Sequence, residues 1–265
     1  MDSPGLCNGR PPGDVRSAQA PPAEGSDPSD IHRVNRLLAA LRPEDLGLLH
    51  PDLTVVRLRH GESIYEPGQL IEWAYFPHDS MISLVAVLDD GATAEVATFG
   101  RDGVAGLISS LVAEDAFGRY VVQVTGTASR ISSARLQEAV AAHPSMQDVF
   151  SRYSRAILSQ AFQTVACNAL HSVEARSCRW ILATRDRVGR DDLPLTHDFL
   201  SEMLGVQRPT VSLITRHLQA TGALKQGRGR IEILDRAQLE AGACCCYRIN
   251  RRNFERLLPG IFDPE

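Results

Sequence analysis

The chain is nearly devoid of lysine: Lys225 stands alone, and the other 27 of its 28 basic residues are arginine. Aromatic residues are sparse as well, at 6%. No apolar run approaches the roughly 18 residues that a membrane-spanning helix needs, and mean hydropathy is -0.14. The stretch from Met1 to Asp30 lacks the apolar core of a secretory signal. A cytoplasmic protein with no membrane partner is therefore expected. Catalytic signatures are missing too: there is no Gly-x-Ser-x-Gly elbow, phosphate-binding loop, His-Glu-x-x-His or paired Cys/His set. The expectation is no enzyme and no cofactor. His60 and His78 are isolated and read as surface turn residues.

The six cysteines are Cys7, Cys167, Cys178 and the run Cys244-Cys245-Cys246. Their spacings match no zinc ligand set, so no metal site is assigned. A disulfide framework is not expected in a cytosolic chain of this size. Cys167 and Cys178 read as buried packing. The triple cysteine is reactive, metal-binding or inert. Its position beside Arg248, Arg251 and Arg252, which would stabilise thiolates, also raises thiol-based redox sensing.

What is present is an ordinary globular balance. Of 265 residues, 43% are hydrophobic and 23% charged, which excludes disorder of the whole chain. At roughly 100–200 residues per domain, the length fits one large domain or two small ones. Net charge is -4, unlike a protein that coats nucleic acid. Yet Arg176 to Arg236 holds eleven basic and seven acidic residues, a local +4 that leaves -8 for the remainder.

Residues 1–29 are rich in Pro, Gly, Ser and Ala without hydrophobic periodicity and read as a disordered tail. Helical spacing begins near Ile31, with Val34, Leu37, Leu38 and Leu41, and Pro43 opens a second short helix. From Leu53 to Ile131 short β-rich runs alternate with Gly turns, among them Met81–Leu88, the hairpin loop Asp89-Asp90-Gly91 and Tyr120–Thr125. That pattern predicts a small β-barrel or roll. A helix is expected over Ala134–His143 and a long one over Ser145–Leu170. The long helix carries two apolar stripes: Met146, Val149, Tyr153 and Ile157, and then Phe150, Leu158, Phe162 and Val165. Two stripes require two packing partners, and a second copy of the chain is the favoured second one.

The stretch LTHDFLSEMLGVQRPTVSLITRHLQATGALKQGRGRIEILD carries the chemistry. Thr196 is placed to cap the helix His197–Leu204, and Gly205 to end it. Gln207 or Arg208 opens a second helix, with Pro209 in its first turn. Val211, Ile214 and Leu218 face inward, leaving Gln207, Arg208, Thr210, Ser212, Leu213 and Arg216 outward. Helix, short Gly-containing turn and helix make a helix-turn-helix. The second helix fits the major groove of double-stranded DNA. Arg208 has the fork that suits guanine O6 and N7, while Thr196, His197 and Arg216 suit phosphates. Gly227-Arg228-Gly229 forms the tip of a following hairpin, which presents Arg228 to the backbone or minor groove.

LSEMLGVQRPTVSLITRHLQATGALKQGRGRIEILD resembles the winged helix-turn-helix of the Crp/Fnr family of bacterial transcription regulators. GESIYEPGQ, the β-rich run and the long helix follow in that family's order, so the resemblance covers Ile31 to Leu239, specific at the C-terminal end and looser upstream. It implies an α+β chain. Residues 30–143 would be a cyclic-nucleotide-binding-like, jelly-roll-like β-roll sensor, 144–170 a dimerisation helix and 171–240 the winged helix-turn-helix domain, with 241–265 a C-terminal tail. It implies a homodimer reading a palindromic DNA site, with RNA polymerase and an unidentified small-molecule effector as further partners. The carry-over is incomplete. The family's best-known recognition helices offer Arg-Glu followed by Thr-Val, whereas this chain has Arg208-Pro209-Thr210-Val211, and Leu213 replaces a further arginine. The family's nucleotide pocket needs a Gly-Glu pair and an Arg-Ser/Thr-Ala element. Here stand Gly106-Leu107 and either Ala116-Phe117-Gly118 or Arg119-Tyr120-Val121, so cyclic AMP is not expected to bind in the usual way. Arg101 and Arg119 are the candidates for holding a different anion. The N-terminal cysteines of iron–sulfur relatives are reduced here to Cys7, and no haem signature is present. The alternative is a ligand-binding regulatory module acting through protein contacts, its DNA face degenerate.

Overall fold

The computed structural model describes residues 30–107 and 114–262. The tail expected over residues 1–29 lies outside the described residues. A 3-10 turn, Ile31–Val34, leads into α1 (Arg36–Ala39). Asn35 caps α1 by accepting from the N–H groups of Leu37 and Leu38, each at 3.1 Å. Its amide donates to the Pro77 and Gly103 carbonyls at 2.9 Å, pinning the N-terminal helices to the β-domain. Pro43 starts α2 (Pro43–Leu49), where a missing N–H costs nothing.

Seven strands follow: β1 (Thr54–Leu58), β2 (Ser63–Tyr65), β3 (Trp73–Pro77), β4 (Met81–Val87), β5 (Thr93–Phe99), β6 (Arg119–Val124) and β7 (Gly126–Ser132). They pair antiparallel in two sheets, β1-β7-β3 and β2-β6-β4-β5, as the expected roll. Gly91, at φ 83, supplies the left-handed turn between β4 and β5. An aromatic cluster joins the sheets. The Phe99 and Tyr120 rings stack at 5.9 Å, and Tyr65 meets both Tyr120 and Tyr75 edge-on. His78, expected at the surface, is buried. Ser129 Oγ lies 2.7 Å from its Nε2, and burial holds its pKa down at about 4.

β4 is apolar on both faces because both faces are covered. Ile82 joins the roll's own core, while Met81 and Val85 pack with Trp180, Phe199 and Leu200 of the C-terminal half. The helix α3 (Ser133–Ala142) leads into α4 (Pro144–Leu170), on which Met146, Val149, Phe150, Tyr153, Ala156 and Ile157 are buried. Phe150 thus belongs to the face that meets the roll, contacting Phe76, and not to the second stripe. The Tyr153 hydroxyl donates to the Val104 carbonyl and accepts from the Val104 N–H, both at 2.9 Å. Any Cβ at Gly103 would lie 2.4 Å from that hydroxyl, so the approach requires glycine.

Ser172 caps α5 (Val173–Val188), and Gly189, at φ 73, ends it. Then come β8 (Asp192–Leu193), α6 (His197–Leu204), α7 (Arg208–Ala220), and the hairpin β9 (Leu224–Gly227) and β10 (Arg230–Ile233), with the sheet order β8-β10-β9. The expected C-terminal tail is instead structured. α8 (Arg236–Gly242) leads to α9 (Cys246–Leu257), which folds back on α4. Asn253 donates to Ser159 Oγ at 2.9 Å, Arg152 donates to the Leu257 carbonyl at 3.1 Å, and Phe254 and Leu257 enter the core. Arg248, Arg252, Glu255 and Arg256 occupy the exposed face of this amphipathic helix.

Asp186 on α5 is the anchor of this arrangement. It accepts from Arg236 at 2.9 Å and from the Tyr247 hydroxyl and Arg251 at 2.7 Å each. Burial opposes its ionisation, but the Tyr247 hydrogen bond and the Arg236 and Arg251 charges outweigh it and hold the carboxyl below its ordinary 3.8. The stabilisation from this ionised group is complete above pH 3.8 and is lost as pH falls through the lower folded value. Asp186→Asn should cost about 3 kcal/mol at neutral pH, because two partly buried guanidinium groups lose a shared counter-charge, Arg236 retaining its pair with Glu240. The variant's stability should also fall less steeply on acidification. Denaturant titrations of both proteins at neutral and acidic pH check this, and parallel losses on acidification would contradict the assignment.

Candidate nucleic-acid interface

The helix-turn-helix is built by local rules. Thr196 Oγ1 accepts from the Phe199 N–H at 3.2 Å and caps α6. Gly205, at φ 62, closes α6 in the left-handed conformation. Gln207 is the residue before α7, with Pro209 in its first turn. Val211, Ile214 and Leu218 are buried against Phe199, Leu200 and Leu204, so the inner face of α7 is held.

Its outer face is open. Gln207, Arg208, Leu213 and Arg216 are all exposed, Leu213 at 62%. Arg208 rests 3.2 Å from Asp198 across the turn, a pair exposed on both sides and therefore weak. Arg216 donates to the Ser212 carbonyl at 3.1 Å, directed along the helix. Arg228 is exposed at the hairpin tip, where Gly229 at φ 71 makes the turn. Thr210 and Ser212 are half-buried.

His197 is more enclosed than expected. Its Nδ1 lies 3.0 Å from Ser212 Oγ, and its Nε2 lies 3.1 Å from Gln226 Oε1 and 3.2 Å from Thr215 Oγ1. The imidazole thus links α6, α7 and β9 and sets the angle between them. Its partners come from two other elements, α7 and β9, and its position in the sequence, which suggested a phosphate contact, does not reveal them.

The two anion candidates do not meet. Arg101 donates to the Val188 carbonyl at 3.2 Å, at the end of α5. Arg119 lies on the far strand β6 and pairs with Glu66 at 2.9 Å. Each is occupied by a separate structural contact.

Sequence reasoning missed two features. Glu95 on β5 is buried beneath α5, where it accepts from Ser83 Oγ at 2.8 Å and from the Trp180 indole at 3.0 Å. Burial pushes its carboxyl pKa up against those hydrogen bonds. Beside it, Arg187 lies 3.2 Å from Asp102 and donates to Gln160 at 3.0 Å. These polar contacts lock the roll to the helix-turn-helix domain. The second missed feature is a convergence of Cys167, His171, Cys244 and Cys246 at the end of α4. Its traces in the sequence are the triple cysteine, left open as reactive, metal-binding or inert, and the Cys-x-x-x-His step that places Cys167 and His171 one helical turn apart.

Residues 175–241 match the Crp-like helix-turn-helix domain. The described elements also superpose on solved Crp/Fnr-type structures over most of both chains. FixK2 from Bradyrhizobium japonicum aligns with a TM-score of 0.62 at 17% identity, covering 73% of this chain and 98% of its own. The c-di-GMP-responsive global regulator CLP from Xanthomonas campestris gives 0.58 at 16%, covering 72% and 99%. A Crp/Fnr-family transcriptional regulator from Thermus thermophilus gives 0.56 at 20%, covering 72% and 98%. The chain has the Crp/Fnr fold. Its β-roll, long helix and C-terminal helix-turn-helix stand in the order that the sequence resemblance implies. No curated protein sequence matches the chain significantly. No helix among the described residues is long and apolar enough to cross a membrane.

If Thr196 holds α6 by its cap, Thr196→Ala should destabilise the protein by about 1 kcal/mol without altering its helical content. Urea unfolding followed by circular dichroism measures this, and an unchanged midpoint would show the cap to be redundant.

Proposed function

We propose that this chain is a homodimeric, sequence-specific DNA-binding transcription regulator of the Crp/Fnr type. The observation that carries the reading is the open outer row of α7, with Gln207, Arg208, Leu213 and Arg216 exposed on a helix whose inner face is locked by α6. A helix of 13 residues spans about 20 Å, a length the major groove accommodates. Arg208 reads guanine, Leu213 offers apolar contact to a thymine methyl group, and Arg216 and Arg228 hold phosphates. Thr196, Thr210 and Ser212 border this surface, while His197 orients it. Pro209 removes the carboxylate that would accept from cytosine, so the preferred half-site differs from that of relatives with Arg-Glu.

The dimer reading rests on α4. Leu158, Phe162 and Val165 follow helical spacing on the side away from the roll, at 54%, 68% and 69% exposure. A second copy packed on this stripe would bury it and place two recognition helices about 34 Å apart, one DNA turn. The β-roll acts as a regulatory body coupled to the DNA-binding unit through Glu95, Trp180, Asp102 and Arg187. Leu107 is buried next to Gly106, and the aromatic cluster fills the space between the sheets. Both features support an effector other than cyclic AMP held in the usual way.

Selection of bound sequences from a random duplex pool, with no ligand added, tests the reading. A two-fold symmetric site with half-sites one turn apart is the expected product. No enrichment, either alone or in cell extract, would favour a regulatory module acting through protein contacts. Arg208→Ala should cost about 1–3 kcal/mol at one base position of the half-site, whereas Arg228→Ala should weaken all sites alike. Equal loss of both kinds in both variants would overturn the assigned register. Phe162→Glu should convert a dimer to a monomer in sedimentation, with its helical content retained.

A further inference from the structure

The cysteines of the C-terminal run are drawn into the joint between the long helix and the DNA-binding unit. Cys167 and His171 stand four residues apart at the end of α4, so their side chains share one side. Cys244 follows α8, and Cys246 is the first residue of α9. Cys167 Sγ and Cys244 Sγ are 3.5 Å apart, as are Cys246 Sγ and His171 Nδ1, and all four donor atoms lie within 4.8 Å of one another. The three thiols are buried and the imidazole is half-buried.

We propose that Cys167, His171, Cys244 and Cys246 form a closed, four-coordinate site for a single zinc-class divalent ion. Zinc holds sulfur at about 2.3 Å and imidazole nitrogen at about 2.0–2.1 Å in a tetrahedron, which places neighbouring donors about 3.4–3.8 Å apart. Two of the observed separations already fall there, and the longest needs to shorten by about 1 Å. An iron–sulfur cluster interposes several irons and sulfides between its thiolates and requires a wider cage. Three thiolates and one imidazole select a soft or borderline ion over magnesium or calcium, and with no open position they make a structural site.

The surroundings suit a charged thiolate site better than apolar packing. The Gln163 amide lies 3.0 Å from Cys246 Sγ and donates to it. The Cys244 N–H donates to the Ala175 carbonyl at 3.3 Å, fixing the strand of chain that carries two of the ligands. Three thiolates around a divalent ion leave one net negative charge. Arg176 and Arg179, both buried on the adjacent α5, supply compensating positive charge, and among the described residues neither sits within ion-pair distance of a carboxylate. An ion here would join α4, the start of α5 and the α8–α9 corner, and so fix the angle at which the helix-turn-helix leaves the long helix.

The test uses the full chain purified under reducing, anaerobic conditions. Elemental analysis should return one zinc-class ion per protomer. After chelation, cobalt(II) should bind at the same stoichiometry with the thiolate charge-transfer and intense visible bands of tetrahedral cobalt, and zinc should abolish them. Cys244→Ser with Cys246→Ser should lose the ion and the cobalt bands, while Cys178→Ser, a buried thiol outside the cluster, should retain both. Replacing buried thiols can unfold a chain, so the cobalt titration of the unsubstituted protein stands as an independent measurement. Absence of tetrahedral bands there would overturn the proposal. So would iron accompanied by acid-labile sulfide, a Cys167–Cys244 disulfide in the reduced preparation, or undiminished metal in a folded double variant.

Discussion

A single buried carboxylate, Asp186, determines how the C-terminal half is assembled. It lies in the last turn of α5, and its partners are Arg236 at the start of α8 and Tyr247 and Arg251 on α9. A carboxylate taken out of water is costly unless it is matched by positive charge and hydrogen bonds. Here it receives both from Arg236, Tyr247 and Arg251. The last helix is therefore drawn back across α5 and laid along α4, where Phe254 and Leu257 complete the hydrophobic core. Once α9 is in place, Cys246 at its first turn is carried to the end of α4.

The long helix meets three different environments around its circumference. One face packs on the roll through Met146, Phe150 and Tyr153, and a second receives α9 through Arg152, Ser159 and Gln163. The third, with Leu158, Phe162 and Val165, remains open to solvent. The reading of two apolar stripes was thus sound in number but not in membership, since Phe150 falls on the roll's side. A 27-residue helix makes more than seven turns, and small offsets in phase move a residue by a quarter of the circumference. The roll meets the helix-turn-helix domain through Glu95 with Trp180 and Asp102 with Arg187. Any change in the shape of the roll would therefore reach α5 directly, through buried polar contacts that tolerate little displacement.

Much of the fold was legible before the structure. The helix-turn-helix emerged almost residue for residue, with Thr196, Gly205, Gln207 and the Arg228-Gly229 tip in their anticipated places. Caps, left-handed glycines and turn residues act within four positions of themselves, so their physics is written locally. The same holds for the β4–β5 hairpin. His78, Arg101 and Arg119 were not legible in this way. His78 is buried by strand β7, Arg101 is engaged by the end of α5, and Arg119 is paired with Glu66 just after β2. No spacing rule predicts which strand will neighbour a given side chain.

The sequence by itself determined the element types, their order, the inward face of α7 and the local excess of positive charge in the C-terminal half. Periodicity and capping depend on neighbours three or four residues away, and they hold whatever the rest of the chain does. Only the tertiary structure decided which distant side chains meet: Glu95 with Trp180 across 85 positions, Asp186 with Arg251 across 65, and Cys167 with Cys244 across 77. These encounters depend on where α5 folds back and where α9 docks. Both are set by the burial of whole helices and by the requirement that each buried charge find a partner, and no short window of sequence contains either condition.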